Sequence, residues 1–394
     1  MPRLLVIVPD YITAILKKGE YQPRYYNPGQ VFDEVHILMT NADAPDAESL
    51  RRTIGDAKLF LHNLPEPANI ERWSWTVFTD RMLQKWAAPG VELARRIKPD
   101  LIRCHSADFN CYLASQIHRH LQIPYVVSLH INADVNPTRR YLDSVLTPQQ
   151  RRHNAIFDHV EREALGYASL VMPVYQPILP YLERMGVKRF DVCYNVLNGD
   201  HLRRKTDYEL HGAGRIVCVG RLFDDKYPDA IIRAVSAIPG LELDIVGDGP
   251  ARLALETLVA ELGVTERIRF RPAVPNDRLC AELPGYDLFA VHSEYWELNK
   301  SVLEALLTGL PVVINRRKGL PVPELDGDFV VRVDNTEQGY LSAFHSLLGD
   351  NSLRASIGQR AYAHAQNNWG PRVTEAKFAG IYRSLIRKDA ALAG

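Results

Sequence analysis

The sequence predicts an α/β protein built from two doubly wound domains. Three observations carry that expectation. The chain has 394 residues, more than one ordinary core accommodates. Short apolar runs alternate with longer helical periodicity, the mark of βα units on a parallel sheet. The rhythm runs twice, on either side of the polar stretch 198–214, which reads as a linker.

Composition narrows the class. Hydrophobic residues make up 46% of the chain, enough for large buried cores. Lys plus Arg and Asp plus Glu are equal at 47 each, so charge gives no reason to expect a nucleic-acid partner. The cysteines are five (Cys104, Cys111, Cys193, Cys218 and Cys280), an odd number with no CxxC pair. A disulfide framework or structural zinc is not expected, and a reducing cytoplasm is. The apolar run 4–8 is too short for a signal-peptide core and is ended by Pro9-Asp10, so it reads as a first buried strand. No stretch approaches the roughly 20 apolar residues of a membrane span; peripheral contact with a membrane stays open.

In the first half, strands are expected at 4–8, 35–38, 59–61, 101–103, 125–129, 170–172 and 192–194, with a crossover helix over 108–120 stopped by Gln122-Ile123-Pro124. In the second half they are expected at 216–219, 241–246, 268–270, 288–291, 312–314 and 329–333. Helices are expected over 252–262, with Gly263 at its end, and over 302–308, ended by Gly309 and Pro311. A final helix over about 373–387 has no strand after it and must pack on a domain already formed. Ligands of doubly wound sheets bind outside the carboxyl ends of the strands, so the loops there are the ones to question.

Four such loops stand out. Gly220-Arg221 follows the strand 216–219, with Lys226 five residues on. A planar guanidinium and a point charge from one strand-to-helix loop suit a diphosphate, although a solvated loop with unrelated charges fits the spacing equally well. Val246-Gly247-Asp248-Gly249-Pro250 lacks the third glycine of a dinucleotide loop; it reads better as a tight turn in which Asp248 caps the next helix. The polar run from His292 to Ser301 feeds the helix 302–308. A helix start offers free N–H groups and a positive dipole end to an anion, and Lys300 adds charge. Glu304, placed in the first turn, either favours the dipole or accepts two ribose hydroxyls. His130 ends the strand 125–129, where a structural and a functional role weigh equally; His105, after 101–103, is a weaker candidate.

Taken in order, Val219-Gly220-Arg221-Leu222 with Lys226, Ile245-Val246-Gly247-Asp248-Gly249-Pro250, Val302-Leu303-Glu304-Ala305-Leu306 and Gly309-Leu310-Pro311-Val312-Val313 closely resemble the retaining GT-B glycosyltransferases of family GT4. The match is specific over about 216–315. In the first half it rests on Ile123-Pro124-Tyr125-Val126-Val127 with His130, and on Tyr194-Asn195.

The resemblance implies two Rossmann-like domains facing a cleft. The N-terminal, acceptor-binding domain would span 1–200 and the nucleotide-sugar-binding domain 201–370, with the helix 371–394 packing back on the first. It implies transfer of a sugar, with retained configuration, from a nucleotide-diphosphate donor, a UDP-sugar in the first instance, to an acceptor hydroxyl. No metal and no further cofactor is implied. By the same resemblance Arg221 and Lys226 bind the diphosphate, Lys300 and Ser301 offer amides to the phosphate beside Gly220 and Val302, and Glu304 holds the ribose. Arg271-Pro272-Ala273 would contact the base, and His130 would approach the donor sugar.

One position departs from the pattern. The family carries an acidic residue eight before Glu304; here it is Trp296, followed by Glu297, and Asn299 stands where the family often has glycine. Either Glu297 serves from a shifted loop, or Trp296 stacks on the sugar, or catalysis is lost. Arg316-Arg317-Lys318 reads as a solvated basic turn or a contact for an acidic sugar or phosphorylated acceptor. The rival readings are a non-catalytic sugar-nucleotide-binding partner of a transferase and a same-scaffold epimerase or phosphorylase. A nicotinamide dehydrogenase is disfavoured, because no complete GxGxxG opens either half. Lipid-linked acceptors fit the scheme; the oligomeric state is not specified.

Overall fold

The computed structural model describes residues 1–17, 22–66, 77–137, 139–210, 212–294 and 297–392. It divides into two compact units. The first comprises 1–196 with 374–394, and the second 197–373.

The first unit holds β1 (Arg3–Val8), α1 (Ile12–Lys17), β2 (Glu34–Met39), α2 (Ala47–Leu50), β3 (Lys58–Asn63), α3 (Val77–Ile97), β4 (Leu101–His105), α4 (Phe109–Leu121), β5 (Tyr125–Leu129), α5 (Pro148–Gly166), β6 (Leu170–Pro173) and α6 (Leu179–Arg184). Its six strands are parallel, in the order β3-β2-β1-β4-β5-β6. Strands covered on both faces read as continuous apolar runs. Leu4, Leu5, Val6 and Ile7 of β1 are accordingly all fully buried. The segment 192–194, expected as a strand, is not one. Residues 189–193 run parallel beside β6 through one isolated bridge, with Val171 N donating to Arg189 O, Asp191 N to Val171 O and Cys193 N to Pro173 O, and the pairing does not continue as a ladder through 192–194.

The second unit holds β7 (Arg215–Val219), α7 (Asp229–Ser236), β8 (Glu242–Val246), α8 (Arg252–Glu261), β9 (Ile268–Arg271), α9 (Asn276–Glu282), β10 (Leu288–Val291), α10 (Lys300–Thr308), β11 (Val312–Asn315), β12 (Val331–Val333), α11 (Glu337–Gly349) and α12 (Asn351–Trp369). Its sheet, β12-β11-β10-β7-β8-β9, repeats the order of the first and is again wholly parallel. Each sheet therefore reverses its winding at the gap beside its first strand, at β1/β4 and at β7/β10, where such folds place ligands.

The last helix, α13 (Pro371–Leu392), carries the chain back into the first unit. Phe378 and Tyr382 sit in that unit's core with Leu4, Val35 and Cys193. Glu375 accepts from Arg24 Nε at 2.5 Å, Arg24 Nη2 at 2.9 Å and the Gly29 amide at 3.0 Å. Gly29 has φ +64, and a Cβ there would stand 2.6 Å from that of Ala379, so glycine is what lets the helix approach.

The polar stretch 198–214 is not a loose tether. Lys205, almost fully buried, donates its amide to Thr308 O at 2.7 Å and its ammonium to Pro284 O at 2.9 Å. The Tyr208 hydroxyl donates to Gly309 O, and buried Arg354 of α12 donates through Nε and Nη2 to Tyr208 O. Polar side chains here cap orphan helix carbonyls, which a hydropathy reading mistakes for solvent exposure.

Candidate functional site

The loops after β7, β8 and β10 come together at the switch point of the second sheet. The first two are zipped by their backbones: Gly220 N donates to Val246 O at 3.1 Å, Leu222 N to Asp248 O at 3.0 Å, and Ala251 N back to Leu222 O at 3.1 Å. Gly247 (φ +146) and Gly249 make this approach feasible, since a Cβ on either would lie 1.9 Å from Gly220 O or 2.1 Å from Leu222 O. Asp248 does not cap α8, as the sequence suggested. The cap position is Ala251, without a side-chain bond, and Asp248 instead accepts from the Ala273 amide at 3.2 Å and Arg252 Nη1 at 2.6 Å. It thereby ties the Arg271-Pro272-Ala273 turn to the same cluster. Arg271 itself pairs with Glu282 at 2.7 Å and donates to the Tyr286 hydroxyl at 3.2 Å.

The third loop delivers the start of α10. Asn299 is its N-cap, and the Val302 and Leu303 amides already return to Asn299 O. The Lys300 and Ser301 amides have no acceptor within the helix, as at any helix start. Ser301 Oγ donates to Val219 O at 3.1 Å, which pins this helix start to the residue before Gly220. Because α10 begins at Lys300 rather than 302, Glu304 lies in the second turn, not the first, and the dipole account of it fails. It is buried (3% exposed), accepts from Asn276 Nδ2 at 2.7 Å and lies 3.7 Å from Lys300 Nζ. Burial pushes its carboxyl above the usual range, opposed by Lys300 and Asn276.

Lys226, at the end of the first loop, donates to Glu297 Oε1 at 2.8 Å. Arg317 Nη2 donates to Glu297 O at 2.7 Å and so braces the loop from β11. The Arg316 guanidinium pairs with Asp334 at 3.2 Å, and the Lys318 amide donates to Glu294. Of these three, Arg317 holds the loop through its side chain and Lys318 through its backbone, and Arg316 and Arg317 line a cavity of about 220 Å³. Arg221 is exposed, with its guanidinium 5.4 Å over the Phe223 ring, and no carboxylate among the described residues pairs with it. Trp296 lies outside the described residues.

The structure therefore brings Gly220, Lys226, Glu297, Asn299, Lys300, Ser301, Val302 and Glu304 to one end of one sheet, with Arg221 on the same loop. His130 is in the first unit, at the end of β5. Its ring stacks parallel on that of His105, 5.9 Å away, and the Nε2 of each is buried without a hydrogen-bond partner among the described residues. Burial lowers both, with the Arg103 guanidinium adding to it; His130 falls to about 4, so both rings are neutral at pH 7. Sequence reasoning missed the contact behind Glu304, from Asn276, and the one behind Glu297, from Arg317. No periodicity marks either; both are tertiary meetings of loops distant in the chain.

Two parallel six-stranded sheets of the same strand order, each flanked by helices, are the architecture of the GT-B fold. The solved structure of Anabaena Alr3699/HepE in complex with UDP superposes with a TM-score of 0.72 at 16% identity, covering 97% of this chain and 100% of that one. Residues 207–364, most of the second unit, match the family Glycosyl transferases group 1. Among relatives, the GDP-mannose-dependent alpha-(1-6)-phosphatidylinositol monomannoside mannosyltransferase of Mycolicibacterium smegmatis is 32% identical over 191 residues, 45% of this chain and 50% of that protein. The D-inositol 3-phosphate glycosyltransferase of Corynebacterium efficiens is 33% identical over 187 residues, 44% and 43% respectively. The chain thus spans about half the length of the curated relatives it matches.

Proposed function

We propose that the protein transfers a sugar from a nucleotide-diphosphate donor to an acceptor hydroxyl with retention of configuration. The observation that carries the reading is the Ser301 hydroxyl on Val219 O, which sets the first amides of α10 beside Gly220 at the switch point. Those amides and Lys226, with Arg221 from the same loop, supply the positive potential that a departing diphosphate needs as its charge grows. No metal is required in this scheme, because fixed cations and amides take that part. Glu304 holds the ribose through its second carboxylate oxygen, and Arg271-Pro272-Ala273 lie against the base. Glu297 takes the donor-sugar role left open at position 296, and His130 presents a neutral imidazole to a sugar hydroxyl.

The relatives divide over the base, one being named for GDP-mannose and a fold neighbour being bound to UDP; UDP-sugars are the first donors to test and GDP-sugars the second. Acceptors named in the relatives, a phosphatidylinositol mannoside and inositol 3-phosphate, favour a lipid-linked or phosphorylated polyol. Among the described residues no helix is long and apolar enough to cross a membrane. A thermal-shift screen of nucleotide sugars tests the donor, since a ligand at 100 times its Kd adds about 2.7 kcal/mol. Glycoside formation with retained configuration by the purified chain supports the proposal; a free epimer, a sugar phosphate or donor binding without turnover refutes it.

A further inference from the structure

Glu304 is backed by a chain of hydrogen bonds that runs out of α9 into the strap 198–214. Asn276 Nδ2 donates to Glu304 Oε1 at 2.7 Å. The same amide's Oδ1 lies 3.1 Å from His201 Nδ1, and Asn198 Nδ2 lies 2.8 Å from His201 Nε2. The direction of every bond is fixed from its two ends. Asn198 Oδ1 accepts the Asp200 amide at 3.1 Å, so the group that Asn198 turns to the imidazole is its NH₂. His201 Nε2 must then be the acceptor, which leaves the proton on Nδ1 to donate to Asn276 Oδ1. Asn276 in turn has only its NH₂ left for Glu304, whose Oε1 accepts it. All three donors therefore point toward one carboxylate oxygen.

We propose that His201, acting through Asn276, is a positioning residue for Glu304. The chain holds Oε1, fixes the carboxylate plane and leaves Oε2 to accept from the ribose diol of a nucleoside diphosphate. This rests on the reading of Glu304 as the ribose ligand. Aligned donors polarise one another in a low-dielectric setting, so the chain orients the carboxylate more firmly than its last bond would. A buried carboxylate with one oxygen committed and one presented is what a bidentate diol contact requires; a freely rotating one loses affinity to rotamer entropy.

The test is calorimetric binding of UDP and of 2′,3′-dideoxy-UDP, or of the GDP pair if guanosine proves the better base, with steady-state kinetics alongside. His201→Ala is expected to weaken UDP by up to about tenfold, the upper end of what one hydrogen bond between neutral groups is worth. It should leave the dideoxy nucleotide unchanged, and raise the donor KM with kcat within twofold. His201→Asn, whose amide N–H stands in for Nδ1–H, should restore most of the loss. In a Glu304→Ala background His201→Ala should add nothing. Equal loss for both nucleotides, additivity with Glu304→Ala, or wild-type affinity overturns the inference. If Glu304→Ala binds both nucleotides like wild type, the ribose reading itself falls and takes this inference with it; if Glu304→Ala is ribose-selective and His201→Ala is not, only the inference falls. Should His201→Ala fail to fold, Asn276→Ala cuts the same chain and is judged by the same outcomes.

Discussion

Substituting Gly247 by alanine tests the zipped loops directly. The new Cβ would stand 1.9 Å from Gly220 O and 2.9 Å from Gly220 C, against a floor near 3.0 Å for real Cβ contacts. Both obstacles are backbone, so relief requires the loops after β7 and β8 to part by about 1 Å or more, well past the loss of a hydrogen bond. That breaks Gly220 N to Val246 O and strains Leu222 N to Asp248 O, at about 1 kcal/mol each. A side chain held at φ +146 adds about 1–3 kcal/mol. The expected destabilisation is about 3–5 kcal/mol in urea titration. Nucleoside diphosphate affinity should fall more than about tenfold, since Gly220 is displaced from the helix start. Gly285→Ala, where a Cβ meets nothing within 4 Å, is the control and should stay within about 0.5 kcal/mol of wild type. A Gly247→Ala protein as stable as that control, with unchanged nucleotide affinity, would refute the account of why glycine stands there.

Other predictions follow from the same geometry. Lys226→Ala should lower turnover by about 100- to 1000-fold, as for loss of one preorganised donor, and Glu297→Ala should lower it strongly in single-turnover assays; near wild-type rates in either would remove that residue from the proposed chemistry. Chelation with EDTA should leave transfer unchanged, and a loss rescued by added divalent metal would contradict the metal-free scheme. Buried His105 and partly buried His130 are held below the ordinary imidazole value, so the unfolded chain binds protons that the folded one refuses. The contribution of these two imidazoles to stability should therefore be constant above about pH 6.5 and fall as pH drops toward 4, at up to about 1.4 kcal/mol per pH unit for each group. Denaturation of His130→Asn should show a shallower slope over that window, and an unchanged slope would contradict the assignment. Glu375→Gln should destabilise the first unit by about 1–3 kcal/mol in urea, because Arg24 would lose its charged partner.

How much the sequence disclosed depends on which forces acted locally. Central strands such as β1 and β5 were legible because burial on both faces writes a continuous apolar run. Gly220, Lys226 and Ser301 were legible because strand, turn and helix start follow one another in the chain. The start of α10 was placed two residues late, since Asn299 ends its loop without a side-chain cap bond to announce it. Asp248 was misread because its partners, Ala273 and Arg252, compete with a local capping role, and tertiary contact won. The strap 198–214 was illegible for a different reason. Lys205 and Tyr208 are polar in order to satisfy helix carbonyls, and composition alone does not separate that from solvent exposure. The ladder expected at 192–194 failed because apolar residues there bury themselves beside β6 without full register.

The anchoring of Phe378 and Tyr382 among residues from the start of the chain has a bearing on biogenesis. A ribosome delivers the second unit whole before it has released the segment that completes the first. For most of synthesis, then, the earlier half waits as an unfinished body with an apolar seam uncovered, and it closes only when the final helix emerges. Holdase chaperones would find their substrate in that half rather than in the later one, and a nonsense mutation near residue 373 would injure the beginning of the protein more than its neighbouring end.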